Sequence, residues 1–139
     1  MAKLIKLERV YPYPLEKVWK AISTAEALSQ WLMPTDFILE IGREFTFQTK
    51  PQPGFDGKVR GKVIHFEPNN FLIFTWQGGP MKKPTTVRFD LSPTPEGTLL
   101  TFTHSGFEGF INQYIVRFIL EKGWKDLLNN QISRFLSHE

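Results

Sequence analysis

The sequence predicts an α+β domain: one curved antiparallel sheet of about seven strands packed on a long C-terminal helix, with two short helices beside it. Three observations carry this expectation. Residues 110–139 hold apolar side chains at a helical period, with Trp124, Leu128, Ile132, Phe135 and Leu136 on one face. Residues 37–105 break instead into short runs separated by Pro, Gly and Asn turn signals. Residues 14–34 read as two short amphipathic helices. A long helix after a series of strands needs a sheet to pack on, and a sheet that curves around a helix can leave a cavity between them. The length, 139 residues, suits a single domain over 1–139.

The first strand is expected over residues 3–11, ended by Pro12 and Pro14. Pro14 also fits the start of a helix, where its missing N–H is no loss. Leu15, Val18, Trp19 and Ile22 then follow helical spacing. Thr24 can cap a second helix with Leu28, Trp31 and Leu32 on its apolar face, and Pro34 closes it. Strands are expected at 37–41, 44–49, 57–67, 71–76, 85–91 and 98–105. In the third of these, Val59, Gly61, Val63 and His65 share one face and Lys58, Arg60 and Lys62 the other. Leu100, Phe102 and His104 likewise stand together. Short turns, including one over 93–97, make successive strands antiparallel.

The closing segment is too apolar for one stripe. From Ile111 to Leu120, the side chains of Ile111, Tyr114, Ile115, Val116, Phe118, Ile119 and Leu120 are all apolar. At about 100° per residue this stripe is out of phase with the one from Trp124 to Phe135. Gly123 lies between them, so either the helix bends there or its first half is covered on two sides. Packing under the loops near Phe55 and residues 78–83 is the expected cover, and a dimer contact or a pocket lid the functional alternative.

Composition bounds the function. There is no Cys, hence no disulfide, thiolate nucleophile or thiolate metal site. The 17 basic and 14 acidic side chains give a net charge of +3, which favours solubility more than it names a partner. Residues 1–14 show no apolar signal region, and no run approaches the ~18 residues of a spanning helix, so a cytoplasmic location is expected. Aromatics stand out: 13 Phe, 4 Trp and 3 Tyr. Rings fill cores, and they also suit an apolar pocket.

Chemistry is sparse. Gly61-Lys62 is followed by Val63 where a phosphate loop needs Ser or Thr, and the serine-hydrolase and dinucleotide motifs are absent. His65, His104 and His138 lack ligand spacing, so no metal or other cofactor is expected. Lys58, Arg60 and Lys62, with Arg88, form a basic row without interleaved rings; a solvated face is expected, and no nucleic-acid partner. Asp36, Glu44 and Asp90 show no evident partner. His104 points toward the presumed cavity, where an imidazole could bond a ligand or move a proton. The competing reading is a structural histidine bonded to a neighbouring strand or helix; without a nucleophile or paired carboxylate, no catalytic residue is assigned. The inward side chains Phe45, Phe47, Val63, Phe74, Trp76, Phe89, Phe102, His104, Trp124 and Leu128 are the candidate ligand-lining set, with plain core packing as the alternative for most of them.

The order of local motifs resembles a known family. The run from Pro14 to Ile22 followed by Trp31-Leu32 is similar to the opening of the START-like, or SRPBCC, superfamily. Phe74-Thr75-Trp76, then Gly97-Thr98, Thr101, Thr103-His104-Ser105-Gly106 and Gly123-Trp124, resemble the branch named for the activator of the heat-shock protein 90 ATPase. The resemblance covers nearly the whole chain. It implies a helix-grip fold, with the space between sheet and helix open to a lipid-like, polyketide or aromatic ligand. It leaves three functions open: a binding protein for a small apolar molecule, a cyclase- or hydrolase-type enzyme acting in the same cavity through His104, or a chaperone-associated interaction module. Ile111 to Leu120 is the segment expected to serve any homodimer or chaperone contact.

Overall fold

The computed structural model describes residues 4–139. Lys3, placed in the first expected strand, lies outside the described residues. Strand β1 (Ile5–Tyr11) leads into helices α1 (Leu15–Ser23) and α2 (Ala25–Trp31). Strands β2 (Glu44–Gln48), β3 (Lys58–Glu67), β4 (Phe71–Trp76), β5 (Thr85–Thr94) and β6 (Gly97–Ser105) follow. The closing helix spans residues 111–137. The sheet has six strands in the order β1-β6-β5-β4-β3-β2, with every neighbouring pair antiparallel. This is the helix-grip arrangement expected from sequence. Among the described residues, no helix is long and apolar enough to cross a membrane.

Two helices form where the sequence places them. Pro14 precedes the first turn of α1, and the Thr24 side chain accepts the Ala27 N–H at 3.2 Å, capping α2. Trp31 donates its indole N–H to the Ala21 carbonyl at 2.6 Å, locking one helix to the other.

The strand count is one lower than expected, because residues 37–41 form no strand. Their carbonyls close local turns instead: Glu40 N–H bonds Ile38, and Arg43 N–H bonds Glu40. The segment just before it, residues 34–36, lies along the outer side of β2, where Asp36 accepts the Thr46 N–H at 2.8 Å and the Pro34 carbonyl accepts the Gln48 N–H at 2.9 Å. It thereby covers an otherwise open sheet edge. Strand β5 is longer than expected and continues through Pro93 to Thr94. Pro93 is tolerated because β4 ends opposite Asp90, leaving that side of β5 unpaired.

The closing helix does not bend at Gly123. It runs α-helically from Arg117 to Asp126, straight through that residue. What re-phases it is a pair of π-helical turns, Ile111–Val116 and Leu127–Gln131. In them Arg117 N–H bonds Asn112 and Ile132 N–H bonds Leu127, five residues back. The side chains facing the core recur every fourth residue: Val116, Leu120, Trp124, Leu128, Ile132 and Leu136. Four residues overshoot an α-helical turn by about 40°, so a purely α-helical stripe of this spacing would wander off the sheet. A wider π turn absorbs the overshoot.

The helix is gripped unevenly. Trp124, Leu128, Ile132 and Leu136 are fully buried, whereas the Ile111–Val116 turn buries no residue. Tyr11 ties β1 to the gripped half, its hydroxyl donating to the Leu128 carbonyl at 2.7 Å, and Arg9 bonds Asn129 beside it.

Candidate functional site

All ten predicted lining residues come together between the sheet and the gripped half of the helix, and all are buried. They meet as a continuous run of rings. Phe45 contacts Phe47 and Phe74 at 5.4 Å, Phe47 contacts Trp76 at 5.6 Å, and Trp76 contacts Trp124 at 5.1 Å. Trp124 lies 4.3 Å from Phe102, which lies 5.2 Å from Phe89. Val63 and Leu128 complete the cluster. Edge-to-face and tilted contacts at these separations are attractive, so the rings close on one another and fill the space they share. Gly61 makes room for them: a Cβ there would come within 2.5 Å of the Phe45 ring and 2.6 Å of the Thr75 carbonyl.

One buried polar chain crosses this apolar interior. An indole nitrogen can only donate, so Trp124 Nε1–H donates to His104 Nδ1 at 3.2 Å and fixes the imidazole proton on Nε2. His104 Nε2–H then donates to Thr85 Oγ1 at 2.7 Å, and the Thr85 hydroxyl donates to the Trp76 carbonyl at 2.6 Å. Burial pushes the His104 pKa down to about 3. The ring is neutral at physiological pH and both its nitrogens are occupied. This is the arrangement of a structural histidine, with no nitrogen left to transfer a proton.

Two members of the site were not read from the sequence. Thr85 begins a strand and carries no distinguishing pattern. Phe107 is buried and lies against His104, ring to ring at 4.7 Å. Its signal was present: Gly106 and Gly109 flank it, and both adopt left-handed backbone, at φ 90° and 84°. The chain turns into the core and out again around that one ring.

The site reaches the surface beside Phe107. A cleft of about 520 Å³ opens between the 80–83 loop and the start of the closing helix. Its lining includes Lys82, Lys83, Phe110, Ile111 and Asn112, and also Thr85, the hydroxyl that holds His104. Lys83 and Glu108 approach to 3.8 Å across it. A larger cleft, about 820 Å³, lies at the junction of α1, α2 and the end of the closing helix. It is bounded by side chains of both charges, among them Glu16, Lys17, Lys20 and Glu26, and, like the smaller cleft, by none of the ten ring-cluster residues. Size alone favours it, but the smaller cleft touches the buried polar chain.

The remaining candidates resolve elsewhere. A β-bulge between Val63 and His65 reverses the alternation of β3, so His65 is exposed and rests against Phe71 at 5.2 Å. Lys58, Arg60 and Lys62 face outward. Arg60 pairs with Asp56 at 3.1 Å, and Arg88 grips Asp90 through two bonds of 2.8 and 2.9 Å. Asp36 and Asp90, which had no evident partner in sequence, are therefore both engaged. The loops near Phe55 and residues 78–83 do not cover the Ile111–Leu120 stripe: Phe110 is 71% exposed, Ile111 51%, Phe118 52% and Ile119 62%.

Comparisons with known proteins agree with this fold. The sequence model of the family described as Activator of Hsp90 ATPase homolog 1-like protein matches residues 12–137. Protein MLL2253 from Mesorhizobium loti has a similar structure, with 27% identity, a TM-score of 0.85 and 98% of each chain covered. Protein BH1534 from Bacillus halodurans shares 29% identity at a TM-score of 0.81, covering 98% of this chain and 99% of that one. CalU16 from Micromonospora echinospora shares the fold at 24% identity and a TM-score of 0.79, covering 98% of this chain and 77% of that one. No match was found among curated protein sequences.

Proposed function

Since this chain belongs to the Activator of Hsp90 ATPase homolog 1-like family, we propose that it is a binding protein that holds a small apolar molecule between the sheet and the closing helix and performs no chemistry on it. The observation that carries the reading is the 520 Å³ cleft whose lining reaches Thr85, a member of the buried polar chain through His104. Its volume falls in the range of small-molecule sites, roughly 300–1,000 Å³. Behind it lies Phe107, a ring on a loop with glycine at both ends. Displacing that ring would open the interior and turn the ten clustered side chains, Phe45 to Leu128, into the wall of a pocket. The polar chain through His104 would then offer one oriented hydrogen-bonding point in an otherwise apolar site. The charged pair beside the cleft, Lys83 and Glu108, is an exposed ion pair at 3.8 Å and no part of that chain.

Intrinsic fluorescence tests this reading, because Trp76 and Trp124 both sit in the proposed wall. Titration with an anilinonaphthalene sulfonate dye is expected to change their emission saturably. Phe107→Ala is expected to tighten dye binding several-fold, since it removes the plug, while circular dichroism confirms that the variant is folded. A folded Phe107→Ala protein that binds no dye, and whose tryptophan emission is indifferent to it, would contradict the proposal.

A further inference from the structure

The ungripped half of the closing helix carries a second feature, which shares only Phe110 and Ile111 with the lining of the proposed cleft. Phe110, Ile111, Ile115, Phe118 and Ile119 are each between 47% and 71% exposed, and they share one side of the helix with Tyr114. Val116 and Leu120, on the other side, pack on the core. Half-exposed rings and branched side chains in that number present on the order of 500 Å² of contiguous apolar surface, at the upper end of what a monomer exposes.

The charges around this face indicate what covers it. Glu108 stands just before the helix, and Lys122 lies on the exposed side beyond Ile119, over the Phe118 ring at 4.6 Å. Ile115 is midway between the two. If two copies of the helix cross antiparallel about a two-fold axis through Ile115, Ile111 of each meets Ile119 of the other. The same operation brings Glu108 of each copy, which lies 3.8 Å from Lys83 of its own chain, toward Lys122 of the other. The face is thus self-complementary in both shape class and charge, which an isologous contact requires. Two such faces bury on the order of 1,000 Å² together, near the lower bound for a specific interface.

We infer that the chain forms a two-fold dimer through this face, with a second copy of itself as the partner. The contact borders the cleft through Phe110 and Ile111, but it does not depend on a ligand being bound. The sequence contains no cysteine, so single-cysteine variants report the register without background.

Ile115→Cys is expected to form an interchain disulfide under mild oxidation. A mixture of Ile111→Cys and Ile119→Cys proteins is expected to cross-link to each other in preference to themselves. Sedimentation at rising concentration is expected to approach twice the 16.2 kDa monomer mass. Ile115→Glu is expected to remain monomeric and folded, because that side chain is half exposed and removes nothing from the core. Glu108→Lys is expected to weaken the dimer at least ten-fold, and adding Lys122→Glu to restore it. A wild-type protein that stays monomeric at the highest soluble concentration overturns the inference. So does a dimer that Ile115→Glu leaves intact, or a cross-linking pattern with the opposite register.

Discussion

At the scale of single residues, His104 carries the most testable chemistry. A free imidazole charges below about pH 6.5, whereas the buried one stays neutral down to about 3. Below pH 6.5 the unfolded chain therefore binds a proton that the folded chain does not. The stabilisation is fully present above that pH and is lost progressively as the pH falls toward 3. Between about pH 7 and about pH 5 this one group is expected to remove about 2 kcal/mol of stability, read as a lower urea midpoint. The His104 ring signals in an NMR titration are expected to stay constant over the same interval. A ring that titrates near its ordinary value would show that the Trp124–His104–Thr85 chain does not exist in solution. The sequence placed His104 inward and left two roles open. Its choice between them depended on Thr85 and Trp124, one 19 residues before it and the other 20 after, and no local pattern announces such partners.

At the scale of elements, the closing helix shows how far periodicity carries. Its stripes were legible and their phase mismatch was real. Neither a bend at Gly123 nor cover by the neighbouring loops was the remedy adopted. Two π-helical turns absorb the mismatch instead, and single-residue spacing cannot distinguish a bend from a widened turn. Gly123 is left as an ordinary exposed helix position, with open space where a Cβ would stand. Gly123→Ala is accordingly expected to stabilise the protein by about 0.8–1.0 kcal/mol, because glycine disfavours a helix interior by that amount. Equal or lower stability in a thermal melt would mean that the helix needs the glycine after all. Residues 37–41 taught a similar lesson. A short run ended by Gly42 read as a strand, but local turns closed by the Glu40 and Arg43 N–H groups take up its carbonyls. The bulge at His65 was also silent in the sequence, since an inserted residue leaves composition and spacing unchanged while reversing every face beyond it.

At the scale of the whole molecule, an antiparallel sheet packed on one long helix followed from pattern, because alternating strands and one amphipathic helix have few ways to bury each other's faces; the pairing of β1 with β6 was not read from the sequence. The interior was another matter. Inward-facing rings were identified correctly, but whether inward rings enclose space or fill it depends on distances of a few ångströms between residues far apart in sequence. Here Phe47, Trp76, Trp124 and Phe102 meet ring to ring, and Phe107 completes the seal over His104. The proposed binding site is this ring-packed interior, opened for a ligand at the Phe107 end. Native mass spectrometry of protein purified from its own host tests this most directly. The expected result is a complex heavier than the chain by the mass of a small apolar molecule, lost on mild activation and absent once the extracted protein is refolded. Protein that carries no adduct from its host, and takes none up from an extract of the same cells, would contradict it.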